Sequence, residues 1–246
     1  MQNAIAVISD IHSNFEALTA VLEDVKALDI TEFVCLGDIV GYATGAQSCL
    51  RVVRELGCPV IIGNHDDAAL LPGPPADFNE TATAGIAFAS ARLTESDRAW
   101  IASLPRTLEI EGVVFTHSSL ASLFGWPYIL SPEDARRHFS AQSSPLAFCG
   151  HTHRPMVWWQ ESPAGPVRQR TGKDVRALPQ GAKVLVNVGA VGQPRDGDTR
   201  ACYVIYRPDQ KTVEFRRVAY DINRTKRKIL RAGLPLFTAQ RLSLGQ

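Results

Sequence analysis

The sequence predicts an α/β fold that contains two sheets, and three observations carry this prediction. The first part of the chain alternates short apolar strands with amphipathic stretches in the order β-α-β-α-β, which is typical of a parallel sheet covered by helices. Two helical stretches follow a Pro- and Gly-rich segment. The remainder is rich in short strands, which indicates a second sheet. Because the 246 residues are 45% hydrophobic, we expect a sizeable core and a single domain over residues 1–246.

The opening unit combines continuous apolar strands with helices whose apolar residues recur at helical spacing. Asn14 is the expected cap of the first helix. Each strand runs into a polar or Gly-containing turn, and ligands of such units gather at the carboxyl ends of the strands. The predicted elements are a strand at Ala4–Ile8, a helix at Phe15–Leu28, a strand at Phe33–Leu36, a helix at about 46–56 and a strand at Val60–Ile62.

The second part of the chain begins after Leu71–Ala76, a Pro- and Gly-rich stretch that interrupts this alternation. Helices are expected at about Glu80–Leu93 and Ser96–Leu104, where they would shape the rim of a substrate site, and Glu161–Gly181 is expected to be a hairpin connection or excursion. A basic helix, Asp221–Ala232, is expected near the end of the chain. The predicted strands are Val113–Phe115, Leu146–Cys149, Met156–Trp159, Val184–Val188, Cys202–Tyr206 and Val213–Val218.

Composition excludes several classes of protein. The formal net charge is +1, from 26 basic and 25 acidic residues, and this gives no general attraction to nucleic acid. Five scattered cysteines without close CxxC spacing argue against a disulfide framework or a zinc knuckle, and they favour a reducing, cytoplasmic location. The first apolar run is too short for a signal peptide or a membrane span, so no membrane partner is expected.

Polar side chains cluster at the predicted strand ends, which carry five of the six histidines; His138 is the exception. Alternate positions of an extended segment point to the same side, so an Asp-x-His or His-x-His pair can direct both side chains towards one centre. Imidazole and carboxylate ligands without cysteine favour manganese, iron(II), zinc, cobalt or nickel over a thiolate site. The segments are Asp10-Ile11-His12, Gly37-Asp38, Gly63-Asn64-His65-Asp66, His117 and Gly150-His151-Thr152-His153.

These five segments, present and in order, resemble the calcineurin-like metallophosphoesterase superfamily, and most closely its small bacterial and archaeal phosphodiesterase branch. The segment 187–195 and the helix that begins at Tyr220-Asp221 also resemble that branch. The resemblance covers most of the chain. It implies a four-layer α/β/β/α sandwich of two mixed sheets flanked by helices, with two divalent metal ions at one edge, and a hydrolase that acts on a small phosphate ester.

The resemblance also implies a role for individual residues. Asp38 would be shared by both ions, and a hydroxide that bridges them would attack phosphorus. His65 would face the leaving-group oxygen as a general acid in its imidazolium form. One ion would be held by Asp10, His12, Asp38 and His153, and the other by Asp38, Asn64, His117 and His151.

Other polar residues have simpler interpretations. Asp66 and Asp67 are most simply helix caps after the Asn-His turn. Arg195 is a candidate for binding a substrate phosphate, because its fork suits phosphate oxygens, although a salt bridge to a neighbouring aspartate fits as well. The basic run at 224–231 is most simply a solvated helix face, and Trp158 and Trp159 are packing residues.

Departures from the family pattern bear on the choice of substrate. After Gly37-Asp38 the chain reads Ile39-Val40-Gly41-Tyr42, whereas the serine/threonine protein phosphatases of the superfamily carry an arginine in this turn. Ala43-Thr44 stands where the branch often has Gly-Pro, and Ala190 where it often has serine. The favoured function is a phosphodiesterase, with activity on monoesters left open. The alternatives are a dinucleoside polyphosphate hydrolase, a protein phosphatase, or a non-catalytic scaffold, and the last is disfavoured because His65 is present. The sequence leaves the natural substrate, the native metal and the oligomeric state open.

Overall fold

The computed structural model describes residues 4–73, 75–76 and 78–246. Residues 1–3 of the amino terminus, Pro74 of the Pro- and Gly-rich stretch and Asp77 lie outside the described residues. No helix within the described ranges is both long and apolar enough to cross a membrane.

The first sheet joins the start of the chain to its later strands. Its order is β2-β1-β10-β11-β8, in which β1 and β2 run parallel and the other pairs run antiparallel. The predicted parallel opening is therefore confirmed, and the same sheet is extended by strands that lie between residues 175 and 218. These strands are β1 (Ile5–Ile8), β2 (Glu32–Cys35), β8 (Val175–Ala177), β10 (Ala201–Arg207) and β11 (Thr212–Val218).

The second sheet has the order β3-β4-β5-β9-β6-β7 and is also mixed. Its centre, β4-β5-β9, is parallel, so these three strands present their carboxyl ends at the same edge. The strands are β3 (Thr107–Ile110), β4 (Val113–Thr116), β5 (Leu146–Cys149), β6 (Met156–Gln160), β7 (Arg168–Thr171) and β9 (Lys183–Asn187).

Eight helices lie among the described residues. Asn14 caps the first of them, as predicted, because its side chain accepts a hydrogen bond from the backbone N–H of Ala17. The helices are α1 (Phe15–Ala27), α2 (Ala46–Glu55), α3 (Asn64–Ala69), α4 (Glu80–Ser90), α5 (Glu95–Ala102), α6 (Pro132–Ala141), α7 (Ile222–Arg231) and α8 (Leu236–Leu242).

Three buried clusters of apolar residues account for the layers. The central cluster lies between the two sheets, where Val7 and Val204 of the first sheet meet Phe148 of the second. A second cluster packs α1 and α2 on the outer face of the first sheet. A third packs α6 on the outer face of the second sheet. The four-layer α/β/β/α arrangement of two mixed sheets flanked by helices is therefore confirmed.

One predicted strand is reduced to a single bridge. The segment Val60–Ile62 runs beside β2 and exchanges backbone hydrogen bonds with Cys35 on both sides, but only Val60 pairs with it as a parallel bridge. Pro59 precedes the segment and cannot donate to a ladder, and Gly63 follows it as the N-cap of α3. The chain therefore has no room for a longer strand at this position.

The sequence patterns did not predict the helices α6 and α8 or the short strands β3, β7 and β8. For α3, they predicted capping aspartates but not the extent of the helix. The signal for α6 was present, because Ser131 and Asp134 form a capping box in which each side chain accepts the other residue's backbone N–H. The strands β7 and β8 lie in the segment expected to be a hairpin connection or excursion, and β7 pairs with β6 as a hairpin, in agreement with the first of these alternatives. The half-exposed pattern of β3 carries no continuous apolar run.

His138 lies on α6 as a buried structural residue, away from the other histidines. Its Nδ1 accepts a hydrogen bond from the backbone N–H of Leu120. Burial, which is the main cause, and the nearby Lys183 lower the pKa of His138 to about 4. As the pH falls, His138 therefore becomes protonated near pH 6.5 in the unfolded chain but only near pH 4 in the folded chain.

We predict that replacement of His138 by Gln flattens the acid limb of the stability curve. Above pH 6.5 the ring is neutral in both the folded and the unfolded chain, and stability does not depend on its titration. As the pH falls from 6.5 to 4, protonation of His138 in the unfolded chain lowers the wild type's free energy of unfolding by roughly 2–3 kcal/mol, whereas the Gln side chain of the variant does not titrate and the variant keeps this stability. Urea unfolding of both metal-free proteins at pH 7.5 and 4.5 measures this difference. Parallel curves for the two proteins would contradict the assignment.

Candidate metal centre

The turns that follow β1, β2, β4 and β5, the first residues of α3 and the segment after β9 bring the predicted site residues to one edge of the sandwich. All of them except Arg195 are buried, with at most 9% of the side chain exposed. Backbone hydrogen bonds tie the turns together: Asp10 N–H donates to Gly37 O, and His12 N–H donates to Asp38 O. The structure brings together Asp10, His12, Asp38, Asn64, His65, His117, His151 and His153.

One group of ligand atoms is formed by Asp10, His12, Asp38 and His153. The Nε2 atoms of His12 and His153 lie 3.0 Å apart. Asp10 Oδ1 lies 3.2 Å from His153 Nε2 and 3.8 Å from His12 Nε2. Ligand atoms bound at 2.0–2.2 Å to one ion lie about 3 Å from one another, so this spacing fits a single ion.

The second group is formed by Asp38, His117 and His151. Asp38 Oδ2 lies 3.4 Å from His117 Nε2 and 3.5 Å from His12 Nε2, so one carboxylate oxygen faces both groups. The other oxygen, Oδ1, accepts the backbone N–H of His65 at 2.8 Å. Asn64 joins the second group, because its Oδ1 lies 3.1 Å from His117 Nε2.

A backbone carbonyl lies against the ring of each of the four histidines in the two groups of ligand atoms. The Nδ1 atoms of His12, His117 and His153 lie 3.2, 2.8 and 2.6 Å from the carbonyl oxygens of Val40, Leu36 and Gln193. An N–H at Nδ1 would donate to that carbonyl and leave Nε2 free as a ligand atom, which is how metal-binding histidines are usually held. His151 is reversed: its Nε2 lies 2.9 Å from Trp126 O, which leaves Nδ1 for the second group.

The backbone conformation of several residues in the cluster is typical of a functional site. Non-glycine residues rarely adopt positive φ, and such strain concentrates at functional sites. Five of the seven predicted metal ligands do so: Asp10 (54°), His12 (48°), Asp38 (52°), His151 (66°) and His153 (59°).

Two buried polar residues hold the turns, and the sequence patterns did not single out this role. Asp66 Oδ1 accepts the backbone N–H groups of Ile39 and Val40, and its Oδ2 accepts that of Gly63. The expected capping role is thus confirmed, and Asp66 also joins the turn after β2 to α3. Asn187, at the end of β9, donates to Gly150 O and Thr152 Oγ1 and so holds the turn that carries His151 and His153. Asp67 differs from the expectation, because its carboxylate pairs with Arg106 at 3.0 Å.

The absence of a side chain at Gly150 leaves space for the Asp10 carboxylate, and this leads to a prediction. A Cβ at this position would overlap Asp10 Oδ2 and Ser9 Oγ. We therefore expect Gly150→Ala to displace Asp10 and weaken metal binding roughly 10- to 100-fold. The control is Gly73→Ala, at a site where a Cβ meets no atom within 4 Å. Titration of the metal-stripped variants with Mn²⁺ measures the effect, and equal affinities would contradict it.

Opposite charges dominate the electrostatics of the cluster. Burial by itself raises the pKa of Asp38, but His117 and His65 outweigh it and hold the pKa well below its usual value. Burial by itself lowers the pKa of His117, but Asp38 raises it to about 9. Burial lowers the pKa of His12 and His151, and that of His151 falls to about 3. The Asp38 carboxylate is therefore ionised, and the imidazoles of His12 and His151 are neutral, at neutral pH.

His65 lies at the open side of the cluster, with its ring 4.6 Å from that of His12 and 5.2 Å from that of Phe78. Among the described residues its Nδ1 has no hydrogen-bond partner. Burial is the main cause that lowers its pKa to about 4; Arg195 also lowers it, and Asp38 opposes them. In the free protein the His65 ring is therefore neutral at neutral pH and can donate through its single N–H.

A groove of about 140 Å³ opens beside His65. The N-terminal end of α4 forms one wall, which supports the expectation that this region shapes the rim. The loop after β4 forms the other wall with aromatic residues that no sequence pattern marks as part of a site. The lining residues are Tyr42, Asn64, His65, Phe78, Asn79, Ala82, Gly125, Trp126, Tyr128 and His151.

Arg195 lies at the same opening. Its backbone N–H donates to His153 O, and its Nη2 donates to Tyr42 Oη at 3.1 Å and to Gln193 Oε1 at 3.0 Å. The alternative expectation of a salt bridge to a neighbouring aspartate is wrong. The two aspartates have other partners, since Asp196 pairs with Arg217 and Asp198 pairs with Arg200.

Two other interpretations concern residues outside the cluster. Trp158 is buried in the cluster between α6 and the second sheet, as expected of a packing residue, and Trp159 is partly buried against the central cluster with Arg170 near its ring. The basic helix α7 is only partly a solvated face, because Arg224 and Lys228 both pair with Glu16 of α1.

Comparison with known proteins agrees with this geometry. Residues 4–211 match the calcineurin-like phosphoesterase superfamily domain. An uncharacterized protein of Methanocaldococcus jannaschii is 37% identical over 250 residues, which covers 100% of both chains. A metallophosphoesterase structure from Sphaerobacter thermophilus is 35% identical, with a TM-score of 0.89 and 100% coverage of both chains. A hypothetical protein from Pyrococcus horikoshii shares the fold at 19% identity, with a TM-score of 0.79 over 99% of this chain and 98% of that one. The chain thus belongs to the calcineurin-like phosphoesterase superfamily.

Proposed function

We propose that this protein is a phosphodiesterase that hydrolyses small phosphate esters with two divalent metal ions. Membership of the superfamily supports a metal-dependent phosphoester hydrolase. The observation that carries the proposal is the position of Asp38 Oδ2, which lies 3.5 Å from His12 Nε2 and 3.4 Å from His117 Nε2. A carboxylate oxygen that faces two groups of ligands is the natural shared ligand of a two-metal site.

The proposed ligand sets are those expected from the sequence. Manganese, iron(II), zinc, cobalt and nickel all suit imidazole, carboxylate and amide ligands. When bound, such ions polarise a phosphate, lower the pKa of a water that attacks phosphorus, and neutralise charge on the phosphoryl oxygens. One set is Asp10, His12, Asp38 and His153, and the other is Asp38, Asn64, His117 and His151.

His65 is proposed to donate a proton or a hydrogen bond to the leaving-group oxygen. Its ring lies beside His12 and lines the groove, so a leaving group in that groove would contact it. Arg195, whose guanidinium donates to Tyr42 Oη, is proposed to bind a phosphate oxygen of the substrate. The presence of His65 with a complete set of ligands supports an enzyme over a scaffold.

The test is hydrolysis by metal-stripped protein to which Mn²⁺, Ni²⁺, Co²⁺, Zn²⁺ or Mg²⁺ is restored separately. Bis(p-nitrophenyl) phosphate and p-nitrophenyl phosphate report diester and monoester activity. We expect metal-dependent turnover with faster hydrolysis of the diester. No turnover with any ion, despite two ions bound per chain, would contradict the proposal and favour the scaffold interpretation.

A cytoplasmic location is also part of the proposal. All five cysteines are free thiols, and four of them are buried, as is common in a reducing compartment. Burial raises the pKa of the Cys58 thiol to about 11, so this partly exposed cysteine is unreactive at neutral pH.

A further inference from the structure

Tyr42 lies beside the metal centre, in the turn that follows β2 and carries Asp38. The residue is buried, with 4% of its surface exposed, and its ring packs against those of His12 and His65, with both centroid distances at 4.7 Å. It also lines the groove that opens beside His65. One side chain therefore contacts a proposed metal ligand, the proposed donor to the leaving group and the space proposed for the substrate.

Two glycines allow the backbone of Tyr42 to take this position. A Cβ at Gly85 of α4 would overlap the backbone N and Cα of Tyr42, so the helix packs directly on the turn. A Cβ at Gly41 would overlap His65 Nδ1. Tyr42 itself has a φ of 47°, in the left-handed region that a bulky residue rarely adopts. Packing thus holds a strained backbone in place, which is a frequent property of residues that act on a ligand.

The hydroxyl of Tyr42 keeps a hydrogen that it can donate. Its Oη accepts a hydrogen bond from Arg195 Nη2 at 3.1 Å, and the guanidinium carbon of Arg241 lies 5.7 Å from the centre of the ring. A guanidinium has five N–H donors and no acceptor, so neither arginine can accept the hydroxyl hydrogen. Among the described residues no atom accepts it. The O–H group is therefore available to a ligand in the groove.

The arginine beside this hydroxyl makes it a stronger donor. The described acceptors of Arg195 Nη2 are Tyr42 Oη and Gln193 Oε1, which are both uncharged groups. A hydroxyl that accepts a hydrogen bond from a cation is polarised and donates more strongly in turn. A donor that is fixed in place before the reaction can stabilise charge on a phosphoryl oxygen without reorganisation.

We propose that Tyr42 is a catalytic residue whose hydroxyl donates a hydrogen bond to a nonbridging oxygen of the phosphate that is cleaved. The proposal rests on the proposed phosphodiesterase function and adds an uncharged donor to the arginine assigned to that phosphate. The hydroxyl is bonded to Arg195, on the phosphate side of the site, whereas His65 is assigned to the leaving group. Its contribution should therefore not depend on the leaving group.

The first test is Tyr42→Phe, which removes the hydroxyl and keeps the ring that packs on His12 and His65. In the Mn²⁺-loaded protein we expect kcat/KM to fall roughly 10- to 100-fold, as for the loss of one hydrogen bond to a charged group. The fall should be equal for methyl 4-nitrophenyl phosphate and methyl phenyl phosphate, and the metal content should not change. The matched control is Tyr206→Phe, which removes a hydroxyl from the central cluster between the sheets and should leave kcat/KM unchanged.

A double-mutant cycle separates direct donation from support of Arg195. If the hydroxyl contacts the phosphate, Tyr42→Phe should still lower kcat/KM in a protein that already carries Arg195→Met. If the hydroxyl only positions Arg195, the second substitution has no further effect, and the proposal is overturned. A loss confined to the phenyl ester would also overturn it, because that result would place the hydroxyl at the leaving group.

A binding measurement does not depend on turnover. Calorimetric titration of Mn²⁺-loaded protein with methylphosphonate, which cannot be hydrolysed, should show weaker binding in Tyr42→Phe than in the wild type and in Tyr206→Phe. Unchanged affinity together with unchanged kcat/KM in Tyr42→Phe would overturn the proposal. A wild type that hydrolyses neither ester but binds methylphosphonate through this hydroxyl would contradict the phosphodiesterase function and leave the hydrogen bond to the phosphoryl oxygen standing.

Discussion

Replacement of Asp38 by Asn is expected to abolish hydrolysis and to reduce the bound metal to one ion or none per chain. The side chain faces both groups of ligands through Oδ2, and its negative charge compensates two histidine-rich groups. The Asn side chain lacks this charge. Its amide oxygen can still accept the hydrogen bond from the backbone N–H of His65, which Asp38 Oδ1 accepts at 2.8 Å. The fold should therefore persist while the metal is lost. A fall in kcat/KM of at least about 10³-fold corresponds to about 4 kcal/mol of lost transition-state stabilisation.

The measurement combines elemental analysis with turnover of bis(p-nitrophenyl) phosphate across a range of Mn²⁺ concentrations. Asp209→Asn, at an exposed aspartate in the turn between β10 and β11, removes the same charge away from the site and should change neither quantity. An Asp38→Asn protein that binds two ions and turns over normally would refute the shared-ligand role.

The composition of the centre was predictable from sequence because its residues follow strand ends. A short apolar strand can be recognised from its own residues, and parallel strands present their carboxyl ends at one edge. His117 and His151 could therefore be placed together although they follow different strands. Recognition also required the ordered set of segments, because a single Asp-x-His pair carries little information.

The walls of the site were less predictable, because they depend on contacts between distant segments. Trp126 and Tyr128 lie in a loop with no periodicity, and only the hydrogen bond from His151 to Trp126 O and the stacking of Tyr128 on His151 reveal their place. Arg241 is 199 positions from Tyr42 in sequence, and the two meet because α8 packs back on α7 and Ala43. The polar pattern of α7 likewise gave no sign that Arg224 and Lys228 share Glu16.

Replacement of His65 by Ala is expected to slow hydrolysis of esters with poor leaving groups by about 10²- to 10⁴-fold, while the metal content stays unchanged. The side chain belongs to neither group of clustered ligand atoms, and its Nδ1 has no partner among the described residues. It lines the groove proposed for the leaving group. A poor leaving group needs a proton or a strong hydrogen bond as the bond to phosphorus breaks, whereas nitrophenolate leaves without one. The rate should therefore depend more steeply on leaving-group pKa in the variant than in the wild type.

Methyl 4-nitrophenyl phosphate and methyl phenyl phosphate form a suitable pair of substrates, since they differ only in the leaving group. His138→Gln serves as the control, because it alters a buried histidine on α6 that lies outside both ligand groups. That variant should keep the wild-type ratio of the two rates even if its stability changes. An equal loss for both esters in His65→Ala would mean that His65 positions the substrate or the neighbouring His12 ring, and intact turnover of the phenyl ester would remove its role as a donor. Only a selective loss of the phenyl ester, with two ions still bound, separates donation to the leaving oxygen from support of the metal ligands.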